Sequence, residues 1–560
     1  MKPANLRASN ALPISAALTS VLSLCLSLLA LTCSKTDGLE GGNATVCAVE
    51  EVTCGSLCVD ARTDPLNCGG CGIPCSAGQM CQDGACECVS GVLCNGACVP
   101  PGETECGGVC ETGCPLLITS APGDYWKTDA RPTEVSSGST DLTIRDNATA
   151  QVWEGFGGAF NEMGWKALSV LSQSDRDAAI RLLYGSDGAR FSFGRIPIGA
   201  SDYSLERYTL DETADDTSLA SFSIDHDQQW LIPFVRAAQA VKGNIRFWAS
   251  PWTPPTWMKQ SPFQSGKVVS PFDGGTIRSD DAALGALALY LVKFVQAYAQ
   301  EGISVEAVSP QNEPNYTGNY PTCGWGPATY TKFIGQFLGP AIESAGLATK
   351  IVLGTFNGGG SDPAIVRSVM GDAVARNYID VLGYQWGMVS NVASAKAYHL
   401  PVWQTEHKCG NYPWLTPFNA SRAPNDQAYA VESWGLIRDW IKAGVTAYSA
   451  WNLVLDSVGV GIDTTRVWPQ NALLTVDTET KTLNVTPTYY VFRHLSQFVV
   501  TGAKVVATSG ADAVAFRNPD GSNIAVMFNA GPAKTMTVAI AGKKLRFAMP
   551  GNGWATLIAR

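Results

Sequence analysis

The chain has 560 residues and a formal net charge of −10, almost all of it concentrated in residues 34–120, where 11 Asp and Glu stand against 2 Lys and Arg. No part of it carries the basic footprint of a nucleic-acid binder, so a neutral or weakly polar substrate fits better than a polyanion. None of the 52 Phe, Trp and Tyr residues precedes Tyr125, whereas 14 of the 18 cysteines lie between Cys47 and Cys114, so the first fifth of the chain cannot build an aromatic core and the rest can build a large one.

Residues 1–33 read as an export signal: Lys2 and Arg7, an apolar stretch from about Ala11 to Leu31, then small polar residues. The alternative is a single transmembrane anchor, for which the Ser-rich run is only marginally long enough. Cys33 is similar to the lipidated cysteine of bacterial lipoproteins, which would tether the protein to a membrane, although Ala30-Leu31-Thr32 departs from the usual Leu-x-(Gly/Ala) lead. The expectation is an exported protein, extracellular or held at the cell envelope.

Residues 34–120 form a cysteine-rich module or linker. Cys54 and Cys58, Cys94 and Cys98, and Cys106 and Cys110 each repeat the Cys-x3-Cys spacing. Without aromatics, covalent staples must replace a core, and an even count in an exported chain favours disulfides. Zinc is the rival, because Cys68-x2-Cys71 has ligand spacing, but the segment holds no histidine. The stretch resembles the small stigma-specific-like cysteine repeats of exported proteins, which implies a spacer or binding module.

The predicted elements then alternate. Short β-rich runs appear at QVWEGFGGAF (151–160), ARFSFGRIPI (189–198), NIRFWASPW (244–252) and SVEAVSPQNEP (304–314). KIVLGTFN (350–357), YIDVLGYQW (378–386), LPVWQTEHK (400–408) and AYSAWNLVL (447–455) follow. Helix-period stretches such as DDAALGALALYLVKFVQAYAQEG and DQAYAVESWGLIRDWIKAG separate them. Eight such units imply an α/β fold, a (β/α)8 barrel, over residues 125–486. Beyond it, PTYYVFRHLSQFV reads as a short helix leading into alternating strands with a PDGSN hairpin turn. Residues 487–560 are therefore expected to form a side β-sandwich, completed by strands near 128–146.

Barrel active sites lie at the C-terminal strand ends. Glu313 ends the fourth run and Glu406 the seventh, so the two should face each other across the barrel mouth. Glycoside hydrolysis needs such a pair: one carboxyl protonates the leaving oxygen, and the other attacks or stabilises the anomeric carbon. Asn312 suits the sugar 2-hydroxyl. A single strand-end glutamate is ordinarily a solvated loop residue or a partner for Arg195. Two of them, among Trp-bearing loops, favour the pair. No HExxH, G-x-S-x-G elbow or glycine-rich phosphate loop supports another chemistry, and no metal or cofactor is expected.

GFGGAF (155–160), GRIPIGASDYS (194–204), ASPWTPPTWMK (249–259), QNEP (311–314), QTEH (404–407) and AWNLVL (450–455) resemble, in order, the motifs of glycoside hydrolase family 30 and its glucosylceramidase branch. The resemblance runs from about residue 125 to the C-terminus. It implies a retaining β-glycosidase with Glu313 as acid/base and Glu406 as nucleophile. By the same resemblance Asn312 would hold the 2-hydroxyl, and Asp202 and Trp252 would contact the outer hydroxyls. Arg195 would support the nucleophile, and Trp451 would wall the pocket. The chain departs from the branch after the sixth strand, reading Gln385-Trp386-Gly387 in place of His-Trp-Tyr, which removes an aromatic hydroxyl near the pair.

The expected activity is hydrolysis of terminal β-glucosides, glucosylceramide-like, with a glycan or glycolipid substrate. An endo-β-1,6-glucanase or xylan-cleaving enzyme, and a non-catalytic surface glycan-binding protein, are the alternatives. Cys323 and Cys409 either pair across the site mouth or stand as separate buried thiols.

Overall fold

The computed structural model describes Cys47 and residues 51–560 except 55–56, 77–78, 83, 89–91, 95–96, 100–102, 107–108, 113, 129, 261–269 and 361. The expected export signal and Cys33 lie outside the described residues. The chain divides into two compact units, residues 1–101 and 102–560.

The first unit is built on crosslinks. Disulfides join Cys47 to Cys58, Cys54 to Cys71, Cys68 to Cys81 and Cys75 to Cys86. Cys68 and Cys71, which share a ligand-like spacing, thus belong to different bridges. Short hairpins such as Val52–Cys54 with Leu57–Val59 hang on these bridges. Polar side chains shape the turns: the Asp60 carboxylate accepts from the backbone N–H of Arg62 and the hydroxyl of Thr63. With so little apolar surface to bury, crosslinks stand in for a core.

The second unit contains a closed barrel of eight parallel strands. They are β1 (Gly155–Ala159), β2 (Phe193–Ile198), β3 (Arg246–Pro251), β4 (Val305–Val308), β5 (Lys350–Phe356), β6 (Ile379–Tyr384), β7 (Val402–Gln404) and β8 (Ala447–Asn452). All eight fall in the runs read from sequence. Parallel strands covered on both faces carry continuous apolar runs, and every residue of β2 and β8 is buried. Phe193, Trp248, Ala307, Val352, Val381, Trp403 and Ala447, one from each of β2 to β8, form a buried cluster of their own. On β1, Gly157 approaches its neighbour so closely that a Cβ would sit 1.5 Å from the carbonyl oxygen of Phe193. The GFGGAF motif is thus a strand packed where side chains cannot fit.

Helices cover the barrel. Asp281–Gln300 starts at Asp280, whose carboxylate accepts from the Ala283 N–H, and buries Leu284, Leu287, Leu291, Phe294 and Tyr298 along one stripe. Gln427–Ala443 is capped by Asp426 in the same way and stops at Gly444, whose φ of +121° leaves the helical region. Pro487–Ser496 buries Tyr489, Val491, Phe492 and Leu495 in the same core as the barrel helices.

Six C-terminal strands, from Lys504–Gly510 to Gly553–Ala559, join four strands that precede the barrel in one ten-stranded sheet. The four are Leu116–Ala121, Asp124–Lys127, Thr133–Glu134 and Leu142–Val152. The sheet closes on a core that includes Leu117, Leu142, Ile144, Val538 and Leu557. The expected hairpin is present, with Arg517 opposite Asn523 and Gly521 at φ +86° in the turn. The N-terminal share of the sheet begins at Leu116, inside the segment read as cysteine-rich. Aromatics and cysteines drew that boundary, and LLITSA contains neither; the sheet buries its Leu117, Ile118 and Ser120.

Candidate active site

β4 ends at Val308 and the chain runs on to Glu313; β7 ends at Gln404 and Glu406 follows two residues later. Both carboxylates line one cavity of about 420 Å³. Glu313 is held at φ +46°, in the left-handed region, with its N–H donating to the carbonyl of Thr355 at 3.0 Å. Such a backbone costs on the order of 1 kcal/mol for a residue with a Cβ, and it persists where the surroundings enforce it. Trp386, at the end of β6, is held likewise at φ +50°.

Arg195 organises the floor. It is fully buried on β2, and its Nη1 donates to Glu406 Oε2 at 2.8 Å while Nη2 donates to Asn312 Oδ1 at 2.7 Å. Nε and Nη2 also donate to Ser250 Oγ. The guanidinium carbon lies 4.3 Å from the Trp252 ring centre, with Trp248 and Trp451 also within 6 Å. Asn312 Oδ1 accepts a second bond from Thr355 Oγ1 at 2.8 Å, which fixes the amide with its NH2 away from Arg195. Among the described residues that NH2 has no partner, so it remains a donor for a substrate oxygen.

The two glutamates differ in what surrounds them. Glu406 accepts from Arg195 and, through Oε1, from Trp386 Nε1 at 2.8 Å. Glu313 accepts from the Gln385 amide at 3.1 Å, and that amide is oriented by a bond from Thr405 Oγ1 to Gln385 Oε1. Burial, and then the charge of Glu406, push Glu313 up to about 8. Burial raises Glu406 too, but Arg195 and the Trp386 N–H pull against it. One carboxyl is thereby disposed to keep its proton at neutral pH and the other to lose it.

Asp202, in the loop after β2, also lines the cavity, and its Oδ1 is buried without a hydrogen-bond partner. Burial and the Glu406 charge push this carboxyl up to about 8. An unpartnered buried acceptor at the closed end of a cleft suits sugar hydroxyls. Trp252, Trp386 and Trp451 complete the walls; Arg195 and Gln385 are fully buried and bond the carboxylates from outside the cavity lining. Seven of the nine residues singled out from sequence thus line this cavity, and Arg195 and Gln385 act on it through their bonds to Glu406 and Glu313. Gln385 does not merely remove a hydroxyl: it supplies an amide donor to Glu313.

Sequence reasoning missed several lining residues. Tyr316 and Tyr320 follow QNEP, and Arg466, Trp468 and Gln470 come from the loop after β8. Gln470 Oε1 accepts from Trp451 Nε1 and Asn452 Nδ2 and so fixes the far wall. Tyr412, Trp414 and Leu415 come from the loop after β7. Cys409 lines the cavity as a buried free thiol, and Cys323 is a separate one, so they form no bridge.

A parallel barrel whose fourth and seventh strands deliver two unlike buried glutamates to one sugar-sized cleft defines a glycoside hydrolase. Residues 153–499 match the glycosyl hydrolase family 30 TIM-barrel domain and residues 501–557 match the family's beta sandwich domain, so the chain belongs to glycosyl hydrolase family 30. It is 27% identical to the lysosomal acid glucosylceramidase of Mus musculus over 416 residues, 69% of this chain and 77% of the relative. It is 26% identical to the endo-1,6-beta-D-glucanase BGN16.3 of Trichoderma harzianum over 461 residues, 74% of this chain and 87% of the relative. The solved endo-beta1,6-glucanase BT3312 superposes with a TM-score of 0.68 at 25% identity, covering 80% of this chain and 99% of that structure.

Proposed function

We propose that this protein is a retaining β-glucosidase that releases a terminal β-linked glucose by double displacement. Glu313 protonates the glycosidic oxygen while Glu406 attacks the anomeric carbon, which frees the leaving group and forms an α-glucosyl ester on Glu406. The Glu313 carboxylate then takes a proton from water as that water attacks the same carbon, restoring the β configuration and both side chains. The free NH2 of Asn312 would donate to the 2-hydroxyl oxygen. Asp202 would accept from the outer hydroxyls, which must be free for it to do so; that favours exo action.

The observation that carries this reading is the asymmetry of the pair. Glu406 accepts from the Arg195 guanidinium and the Trp386 indole, whereas Glu313 accepts from the neutral amide of Gln385 and is steadied besides by the Asn357 side chain. Similarity to glucosylceramidases supports a lipid-linked glucoside as substrate, and similarity to the endo-1,6-beta-D-glucanases supports the second reading, cleavage within a β-1,6-glucan. The export-like N-terminus and Cys33 support work outside the cytoplasm, at or near the envelope.

Incubation with glucosylceramide, β-1,6-glucan and xylan, scored by chromatography of the released sugars, separates these readings. The expected product is glucose alone at all times, with no release from xylan. Oligosaccharides appearing first would overturn exo action. No release from any β-glucoside would leave the non-catalytic glycan-binding alternative.

A further inference from the structure

The cleft has a closed end and an open one. Asp202, Trp252 and Asn312 line the closed end, and Trp414 lies at the rim with its side chain 55% exposed, the one aromatic residue among the exposed large apolar residues described. A single exposed apolar side chain is ordinary on a protein surface, but Trp414 and its neighbour Leu415, 54% exposed, both line the mouth of this cavity. The ring is nevertheless fixed: its centre is 5.0 Å from that of Trp468, edge to face, and 5.4 Å from that of Tyr412. Trp468 is itself anchored, its Nε1 donating to the Gly410 carbonyl at 3.1 Å and Arg466 lying over its ring.

Charged groups border this platform. Lys408 lines the same cavity and has no ion pair among the described residues. Glu432 lines it too, its carboxylate accepting from the Tyr412 hydroxyl at 2.8 Å. A pyranose ring has an apolar C–H face to lay on an indole and a hydroxyl edge to offer to an ammonium and a carboxylate. An alkyl chain could use the indole but would displace water from Lys408 and Glu432 and offer neither a hydrogen bond in return.

With the glucosyl unit at the closed end, its leaving group must point toward this rim. We propose that Trp414, flanked by Lys408 and Glu432, forms the leaving-group subsite and that it takes a sugar ring, so the substrate is the glucosyl end of a glycan rather than a glucolipid. This rests on the β-glucosidase reading and narrows its substrate class.

The test compares kcat/KM of the parent, Trp414→Ala and Trp414→Phe on three donors. These are a β-linked glucose disaccharide, octyl β-glucoside and β-glucosyl fluoride, whose single-atom leaving group cannot reach the platform. Trp414→Ala is expected to lower the disaccharide-to-fluoride ratio by about 10- to 100-fold, chiefly through KM, and Trp414→Phe to recover most of it. The octyl-to-fluoride ratio should move by about threefold or less. An unchanged disaccharide ratio in Trp414→Ala overturns the subsite while leaving the glucosidase reading intact. An octyl ratio that falls as far as the disaccharide ratio, or further, overturns the sugar assignment in favour of a lipid. A parent inactive on the fluoride overturns the glucosidase reading and this inference with it.

Discussion

Glu406→Gln lowers kcat on an aryl β-glucoside by about 10⁴-fold or more, because the amide cannot form the ester on which both half-reactions depend. Glutamine is the informative replacement. Its carbonyl can still accept from Arg195 Nη1, which lies 2.8 Å from Glu406 Oε2 in the parent, so the buried guanidinium keeps a partner. The thermal unfolding temperature of the variant should fall only modestly, since its NH2 then faces the Trp386 N–H that Glu406 Oε1 accepts in the parent, while activity disappears. Glu406→Gly with added azide should recover turnover and yield the α-glucosyl azide, since azide then attacks from the face the carboxylate occupied. A Glu406→Gln protein as fast as the parent would remove the nucleophile from Glu406.

Glu313→Gln should show a different signature, because its effect depends on how much help the leaving group needs. On an alkyl or sugar leaving group kcat/KM should fall by about 10²- to 10⁴-fold, and on a dinitrophenyl group, which departs without a proton, by far less. The pH profile carries the same information. The reactive form has Glu313 protonated and Glu406 ionised. With Glu313 raised to about 8, parent activity should persist through neutral pH and be lost as pH climbs past that value. The acid limb belongs to Glu406, which must give up its proton before it can attack. Glutamine at 313 mimics the protonated state at every pH, so the alkaline limb should vanish and the acid limb remain. An alkaline limb that survives in Glu313→Gln would assign it to another group, with Asp202 the first candidate because its carboxyl is raised equally high.

The barrel was legible because its strands are mostly buried on both faces and read as short, largely apolar runs, broken only by single charges such as Arg195, Glu306 and Asp380, between helix-period stretches. The two glutamates were legible for the same reason: a carboxylate just past a buried run can only be at a strand end. The electrostatic roles behind them were legible only in part: the family resemblance put Arg195 behind the nucleophile, but nothing gave its second bond to Asn312. Nothing in the letters of GRIPI says that Arg195 will bond Glu406 and Asn312 at once, because that depends on side-chain geometry across three strands. Gln385 looked like a lost hydroxyl until the structure placed its amide on Glu313.

Loop residues were hardest to read. Trp414 and Trp468 lie in segments without periodicity, so no pattern marks them as neighbours, although their rings lie 5.0 Å apart. The sandwich strands before the barrel were read short because Leu116–Ala121 sits beside cysteines, and composition averaged over that stretch masked six sheet-forming residues.

The stereochemistry of the first product tests the retaining mechanism most directly. Proton NMR of the anomeric signal, recorded in the first minutes of hydrolysis of an aryl β-glucoside and before mutarotation, should show β-glucose appearing first and the α anomer growing only later. α-Glucose at the earliest times would mean that water attacks in place of Glu406, and the double displacement assigned to this cleft would be wrong.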